Sequence, residues 1–182
     1  QAQEDLAQSM AAIQHHAQQY IPLRMAATIL GRVIDRYRQA NQGGVLAHAG
    51  RLFANLTLGS FGGVQVELHD NGSLQLMGVR PDGITLVPTS GMSEGTCDQL
   101  YLAFRVALLE AYLERNPPVP LLVDDLLMTF DDQRSVAALR VLADLSQRMQ
   151  IIFFTHHRRL IELAQQHLSP EQFSVQTLET KL

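Results

Sequence analysis

The spacing of apolar residues changes along the chain, and each change predicts a different kind of element. Near the start, apolar residues recur at alternating intervals of four and three, the period of a coiled-coil seam. This spacing predicts helix from Leu6 to about Gln39, interrupted at Pro22 because proline costs a helix interior about 3 kcal/mol. An ordinary amphipathic packing helix stays open as the alternative. The seam positions are Leu6, Met10, Ile13, Ala17 and Tyr20.

The middle of the chain changes to a period of two. A short helix is expected over residues 45–56, and a glycine-rich loop follows at residues 57–63. Apolar residues then alternate with polar ones on both sides of Asp70-Asn71-Gly72, which has the composition of a tight hairpin turn. A third strand is expected over residues 84–87. The glycine-rich loop lacks the lysine and following helix of a phosphate-binding P-loop, so phosphate binding there is only an alternative.

Beyond Pro88, helical and strand patterns alternate, which predicts parallel strands joined by crossover helices. The predicted fold class is therefore α/β, with a small antiparallel hairpin and an N-terminal helical segment. We predict two parts, a helical segment at residues 1–42 and a lobe at residues 43–182. The helices are expected at residues 95–114, 133–148 and 158–167, and the strands at residues 119–123, 151–154 and 173–178.

Composition limits the classes of function. The 182 residues and 46% hydrophobic content suffice for one compact domain. A net charge of −4, with 13 arginines and one lysine, gives no overall attraction to nucleic acid, so any DNA contact must be local. Four arginines of the first helical segment either contact phosphates or form a solvated face; they are Arg24, Arg32, Arg36 and Arg38.

The remaining bulk features concern location. Cys97 is the single cysteine and cannot form an intrachain disulfide, and the sequence contains neither a signal peptide nor an apolar run of about 18 residues. We therefore expect a cytoplasmic protein with no membrane partner. Because the chain begins at Gln1 rather than methionine, we also expect it to be a fragment of a longer protein.

Three short stretches carry candidate chemistry. Asp124 and Asp125 end an apolar strand, at the edge of a parallel sheet where ligands bind. One carboxylate suits Mg²⁺, while its neighbour can orient or deprotonate water; a pair that caps the next loop is the alternative. His156 ends the next strand and can donate a hydrogen bond to a γ-phosphate. A buried structural histidine is the alternative, and His157 leaves open which ring faces the site.

The third stretch is a helix start. Ser93 and Gly95 place a hydroxyl and unpaired N–H groups where the helix dipole attracts an anion. An ordinary N-cap serine is the alternative.

Taken in order, these stretches resemble the ATP-binding-cassette type ATPase heads of the SMC superfamily, and within it the YhaN-like bacterial subfamily. Residues 92–96 and the helix after them resemble the signature motif, and residues 121–125 the Walker B strand. Residues 130–134 resemble the D-loop, and Thr155-His156 the switch histidine. The resemblance covers residues 53–165. It implies the C-terminal half of a P-loop NTPase head. A Walker A motif, G-x-x-x-x-G-K-[ST], is missing from the sequence, whose single lysine is Lys181.

The resemblance also implies roles for individual residues. Asp125 stands where the wider superfamily usually has glutamate, and Glu94 stands where it usually has glycine. The implied roles are Mg²⁺ support by Asp124, general base for Asp125, contact with the γ-phosphate on a second head by Ser93 and Gly95, a dimer-interface position for Asp131, and γ-phosphate sensing by His156.

The implied activity is ATP hydrolysis at a head–head interface, coupled to DNA binding, repair or chromosome maintenance at the nucleoid. ATP and Mg²⁺ are the implied cofactors. The implied partners are the N-terminal Walker A lobe of the same protein, a second head in a homodimer, and DNA, with a nuclease partner left open. The chain alone is expected to be inactive. Two other classes stay open: a non-catalytic, ATP-gated DNA-tethering scaffold and an ABC transporter ATPase subunit.

Overall fold

The structure, a computed structural model, describes Tyr20, residues 44–68 and residues 72–178. Apart from Tyr20, these residues belong to one compact unit, Gly44–Leu182. The coiled-coil seam apart from Tyr20, and the domain boundary after residue 42, lie outside the described residues and stay predictions. Within the part of the chain that is described, no helix is both long enough and apolar enough to cross a membrane.

The described elements follow the predicted order. The predicted strand Ile151–Phe154 and helix Arg158–His167 are confirmed residue for residue. The elements are α1 (residues 44–56), β1 (Gly63–Leu68), β2 (Leu74–Val79), β3 (Leu86–Pro88), a 3₁₀ turn (Thr89–Gly91), α2 (Glu94–Leu113), β4 (Leu121–Asp124), α3 (Asp132–Ser146), β5 (Ile151–Phe154) and α4 (Arg158–His167).

The first sheet is antiparallel, in the order β1-β2-β3. The predicted hairpin is confirmed, with a register that runs from Gly63 opposite Val79 to Leu68 opposite Leu74. The third strand begins two residues later than predicted. The Asp82 carboxylate accepts hydrogen bonds from the backbone N–H groups of Ile84 and Thr85, at 2.9 and 2.8 Å, which holds those two residues in a turn.

The second sheet is a parallel pair, β4 and β5, with Leu121 opposite Ile151 and Asp124 opposite Phe154. Helix α3 lies between these strands in sequence, as the predicted crossover requires. Strand β4 begins at Leu121 rather than at residue 119 because Pro120 has no N–H to donate to a ladder. The Leu121 N–H donates to the Gln150 carbonyl at 2.8 Å.

The predicted last strand is wrong. Residues 173–178 have no regular secondary structure and are mostly exposed. Alternation of apolar and polar residues there satisfies the strand pattern, but a strand also needs a neighbour to receive its hydrogen bonds. None of the strands described in the structure pairs with this segment.

One core connects the helices to the parallel pair. Its largest fully buried apolar side chains come from α1, α2 and α3, and partly buried side chains of both sheets pack against them. This packing fixes the carboxyl ends of β4 and β5 and the start of α2, where the candidate chemistry lies. The fully buried side chains are Phe53, Leu56, Leu100, Val106 and Leu145.

Candidate functional site

The two neighbouring aspartates have different environments. Asp124 ends β4 and is exposed, whereas Asp125 is half-buried. The Asp125 backbone has φ of 43°, and its N–H donates to the Phe154 carbonyl at 3.1 Å. Left-handed backbone is uncommon outside glycine, although aspartate tolerates it better than most residues. The chain therefore turns sharply at Asp125, immediately after the ladder ends.

His156 lies against Asp125. Because β4 and β5 are neighbours, the residue that follows β5 by two positions comes within 2.8 Å of it, measured from His156 Nδ1 to Asp125 Oδ2. The His156 side chain is 67% exposed, so the alternative of a buried structural histidine does not hold for this residue. His157 is the more buried of the two, and its Nε2 atom is shielded from solvent.

Two opposing effects set the pKa of Asp125. Burial alone would raise the pKa of this carboxyl, but the hydrogen bond and charge of His156, with help from Thr155, outweigh it and lower the pKa below its ordinary value. The group is therefore a carboxylate at neutral pH. Its second oxygen, Oδ1, is buried and has no hydrogen-bond partner within the described part of the chain.

Ser93 is the N-cap of α2. Its Oγ accepts a hydrogen bond from the Thr96 backbone N–H at 3.3 Å and lies 2.8 Å from Thr96 Oγ1. The simpler alternative of a capping serine is therefore present in the structure. Ser93 is nevertheless exposed, and the first turn of a helix carries N–H groups without intrahelical acceptors. The hydroxyl and the helix end thus remain accessible to an anion.

Gly95 lies against the loop that follows β4. A Cβ atom at this position would lie 2.7 Å from the Thr129 carbonyl oxygen, closer than real Cβ atoms approach any neighbour. A hydrogen bond from Thr129 Oγ1 to Asp98 Oδ2, at 2.7 Å, joins the same loop to α2 one turn further along. Glycine is therefore required here for close packing, a role that the sequence pattern did not indicate.

We expect Gly95→Ala to destabilise the chain by about 1–3 kcal/mol, because the added methyl group must displace a backbone carbonyl. The better helix propensity of alanine offsets at most about 1 kcal/mol of this cost. The measurement is urea unfolding of the 182-residue chain. Gly91→Ala is the matched control, since its Cβ would lie an ordinary 3.6 Å from Val87 Cγ1. Equal stability of the two variants would contradict the packing role.

Asp131 is the N-cap of α3. Its Oδ1 accepts a hydrogen bond from the Arg134 backbone N–H at 2.9 Å, and its side chain is 61% exposed.

The next residue, Asp132, forms an ion pair with Arg159 of α4, in which Arg159 Nη2 donates a hydrogen bond to Asp132 Oδ2 at 2.6 Å. Hydrogen bonding and charge across this pair lower the pKa of Asp132 and raise that of Arg159. The pair links the starts of α3 and α4, and sequence reasoning missed it because no local pattern joins residues of two different helices.

The candidate residues thus form two groups joined by one loop. The first group is Asp125, His156 and His157 at the carboxyl edge of the parallel pair, with Asp124 adjacent in sequence. The second is the start of α2, which packs on Thr129. The loop of residues 125–130 begins in the first group, contacts the second through Thr129, and is followed by Asp131 at the start of α3. A substitution in either group is therefore expected to affect the position of this shared loop.

Comparison of the fold defines its class. No protein-family model matches the chain. A structure from a study of ATP-driven dimerisation and DNA-stimulated activation of SMC ATPases aligns with a TM-score of 0.57 and 19% identity, covering 71% of this chain and 78% of that one. The Smc head of Pyrococcus furiosus, bound to the C-terminal domain of ScpA, aligns with a TM-score of 0.52 and 17% identity, covering 89% and 45% respectively. The chain has the α/β fold of an SMC head.

Comparison of sequences gives a more particular likeness. The chain is 29% identical over 149 residues to the uncharacterised protein YhaN of Bacillus subtilis (strain 168). The alignment covers 81% of this chain but only 15% of the relative's length. The predicted resemblance to SMC-type heads and to YhaN is confirmed.

Proposed function

We propose that the chain is the C-terminal lobe of an SMC-like ATPase, which hydrolyses ATP at the interface of two heads and couples this to DNA repair or chromosome maintenance. The observation that carries the proposal is the hydrogen bond between Asp125 and His156 at the carboxyl edge of a parallel strand pair. This is the edge at which α/β folds bind ligands. The SMC-head fold and the likeness to YhaN support it.

Asp125 is proposed as the general base. Its lowered pKa keeps the carboxylate ionised and so able to accept a proton, and its buried Oδ1 atom makes no hydrogen bond within the described residues. His156 holds the other oxygen. An exposed imidazole so positioned can also donate a hydrogen bond to the γ-phosphate, which makes His156 the proposed sensor of that group.

Asp124 is proposed as the Mg²⁺ ligand. Its carboxylate is exposed at the end of β4, and Mg²⁺ typically takes one or two carboxylates together with substrate phosphates and water. Bound Mg²⁺ would neutralise negative charge on the β- and γ-phosphates of ATP. The hard oxygen of Asp124 fits this ion, whereas the neighbouring imidazoles do not.

Ser93 and Gly95 are proposed to contact the γ-phosphate of ATP bound to the other head. Ser93 is exposed at the start of a 20-residue helix, and such a helix end attracts anions. The sequence contains no P-loop lysine to hold ATP against this helix within the same chain. Asp131, with its exposed side chain, is proposed to lie at the same interface.

The parallel pair supports the proposal of an N-terminal lobe as partner. Strands of parallel sheets are normally covered on both faces. On one face of β4 and β5, three apolar side chains are exposed instead: Leu122 by 64%, Ile152 by 37% and Phe154 by 42%. We assign this face to the Walker A lobe of the same protein. The proposal includes two further partners, a second head and DNA. It also includes a cytoplasmic, nucleoid-associated location.

We expect the 182-residue chain alone to show negligible ATP turnover, whereas the full-length protein, with its Walker A lobe, turns over ATP and does so faster with DNA. The reason is that phosphoryl transfer depends on positioning and charge, and the lysine that cradles the phosphates must come from that lobe. A coupled ADP-release assay measures both. Turnover by the chain alone at the full-length rate would contradict the proposal. If the full-length protein dimerised with ATP but showed no turnover, the alternative of a non-catalytic, ATP-gated DNA-tethering scaffold would be favoured.

A further inference from the structure

The proposed ATPase chemistry leaves His157 without a role. Its Nε2 atom is buried and has no hydrogen-bond partner among the described residues, and the same is true of Oδ1 of Asp125, a residue of the same cluster. Buried polar atoms in folded proteins are nearly always paired, and an unpaired one calls for a water, an ion or a functional explanation. Two such atoms in one small cluster indicate a ligand that both can reach.

The geometry suits a small cation. Asp125, His156 and His157 each offer a donor atom, and these three atoms all lie within 4.8 Å of one another. The two imidazole rings are neighbours, with centroids 3.9 Å apart. In a tetrahedral zinc site with bonds of about 2.0–2.1 Å, ligand atoms are separated by about 3.3 Å, so the donor atoms would have to approach one another by up to about 1.5 Å. His156 is 67% exposed, so its side chain has room to reorient around an ion.

We propose that Asp125, His156 and His157 bind one divalent transition-metal ion of the zinc class, with the fourth position open to water. Two imidazole nitrogens and one carboxylate oxygen are a common ligand set for zinc sites of this open kind. The same set disfavours Mg²⁺, which takes oxygen ligands. The site is therefore chemically distinct from the Mg²⁺ position proposed at Asp124.

Zinc binding would also regulate turnover, a consequence that rests on the proposed function. The metal would occupy the carboxylate proposed as general base and the imidazole proposed as phosphate sensor, so Zn²⁺ is expected to inhibit the full-length ATPase. Turnover that is insensitive to Zn²⁺ at a concentration that saturates the site would overturn this consequence.

The metal site itself is tested without ATP, so its failure and that of the ATPase proposal are distinguishable. Untagged 182-residue chain is titrated with ZnCl₂ by calorimetry. We expect one Zn²⁺ per chain, undisturbed by a large excess of Mg²⁺. His157→Ala and Asp125→Asn are each expected to weaken binding at least about tenfold. Two variants are used because His157 is also the N-cap of α4, and thermal unfolding checks that each remains folded.

The control is the second adjacent histidine pair in the sequence, His15 and His16. Replacing both with alanine is expected to leave zinc affinity unchanged. Two results would overturn the proposal: no zinc binding to the wild-type chain, or unchanged affinity in folded His157→Ala and Asp125→Asn variants.

Discussion

Asp125→Asn is expected to lower ATP turnover by the full-length protein by about 100-fold or more, the usual contribution of a positioned general base. An amide cannot accept the proton of the attacking water. Asparagine has nearly the shape of aspartate and tolerates left-handed backbone equally well, so the turn at φ 43° should be preserved. ATP binding and head dimerisation should therefore survive the change, and steady-state turnover measures its effect.

The matched control for this variant is Asp144→Asn, the same substitution on an exposed position of α3. It is expected to leave turnover unchanged. If Asp125→Asn retained the wild-type rate, the base would have to be another group, and the pairing of Asp125 with His156 would then have only a structural role.

Ser93→Arg is expected to abolish both ATP-dependent dimerisation and turnover while each head still binds ATP. The exposed N-cap position gives the long side chain access to the space that the phosphates of the opposite head would occupy. Loss of the capping hydroxyl costs only about 0.5–2 kcal/mol, which a folded domain usually tolerates. Light scattering of the full-length protein, with and without ATP, measures the dimer.

Ser93→Thr is the conservative control, because threonine retains the hydroxyl and can still accept the hydrogen bond from the Thr96 N–H. It is expected to dimerise. ATP-dependent dimerisation of Ser93→Arg at wild-type levels would remove α2 from the proposed interface.

Local patterns predicted the parts of the fold that local physics determines. Strand β5 and helix α4 were predicted residue for residue, since a continuous apolar run and a strong amphipathic period each end abruptly. Strand β3 was misplaced because a single carboxylate, Asp82, holds Ile84 and Thr85 in a turn. Residues 173–178 have the alternation of a strand but no strand beside them in the described structure.

In the candidate site, too, local features could be predicted from the sequence, whereas a contact between distant segments could be missed. Strand ends and helix starts were enough to single out Asp125, His156 and Ser93 from the sequence. The contacts that give these positions their geometry join distant segments: 31 positions separate Asp98 from Thr129, and 31 separate Asp125 from His156. The second pairing was expected from neighbouring strands. The packing of Gly95 on Thr129 was not, since periodicity gives no information about which loop will lie over a helix start.

If each ATP site is shared by two heads, two variants that are inactive for different reasons should restore turnover when they are mixed. Full-length Ser93→Arg and Asp125→Asn proteins are combined in equal amounts, and ATP turnover is measured. We expect turnover to reappear, at most to about half the wild-type rate, because a mixed dimer joins the intact Asp125 of one head to the intact Ser93 of the other at one of its two sites. A mixture as inactive as either variant alone would contradict a shared site.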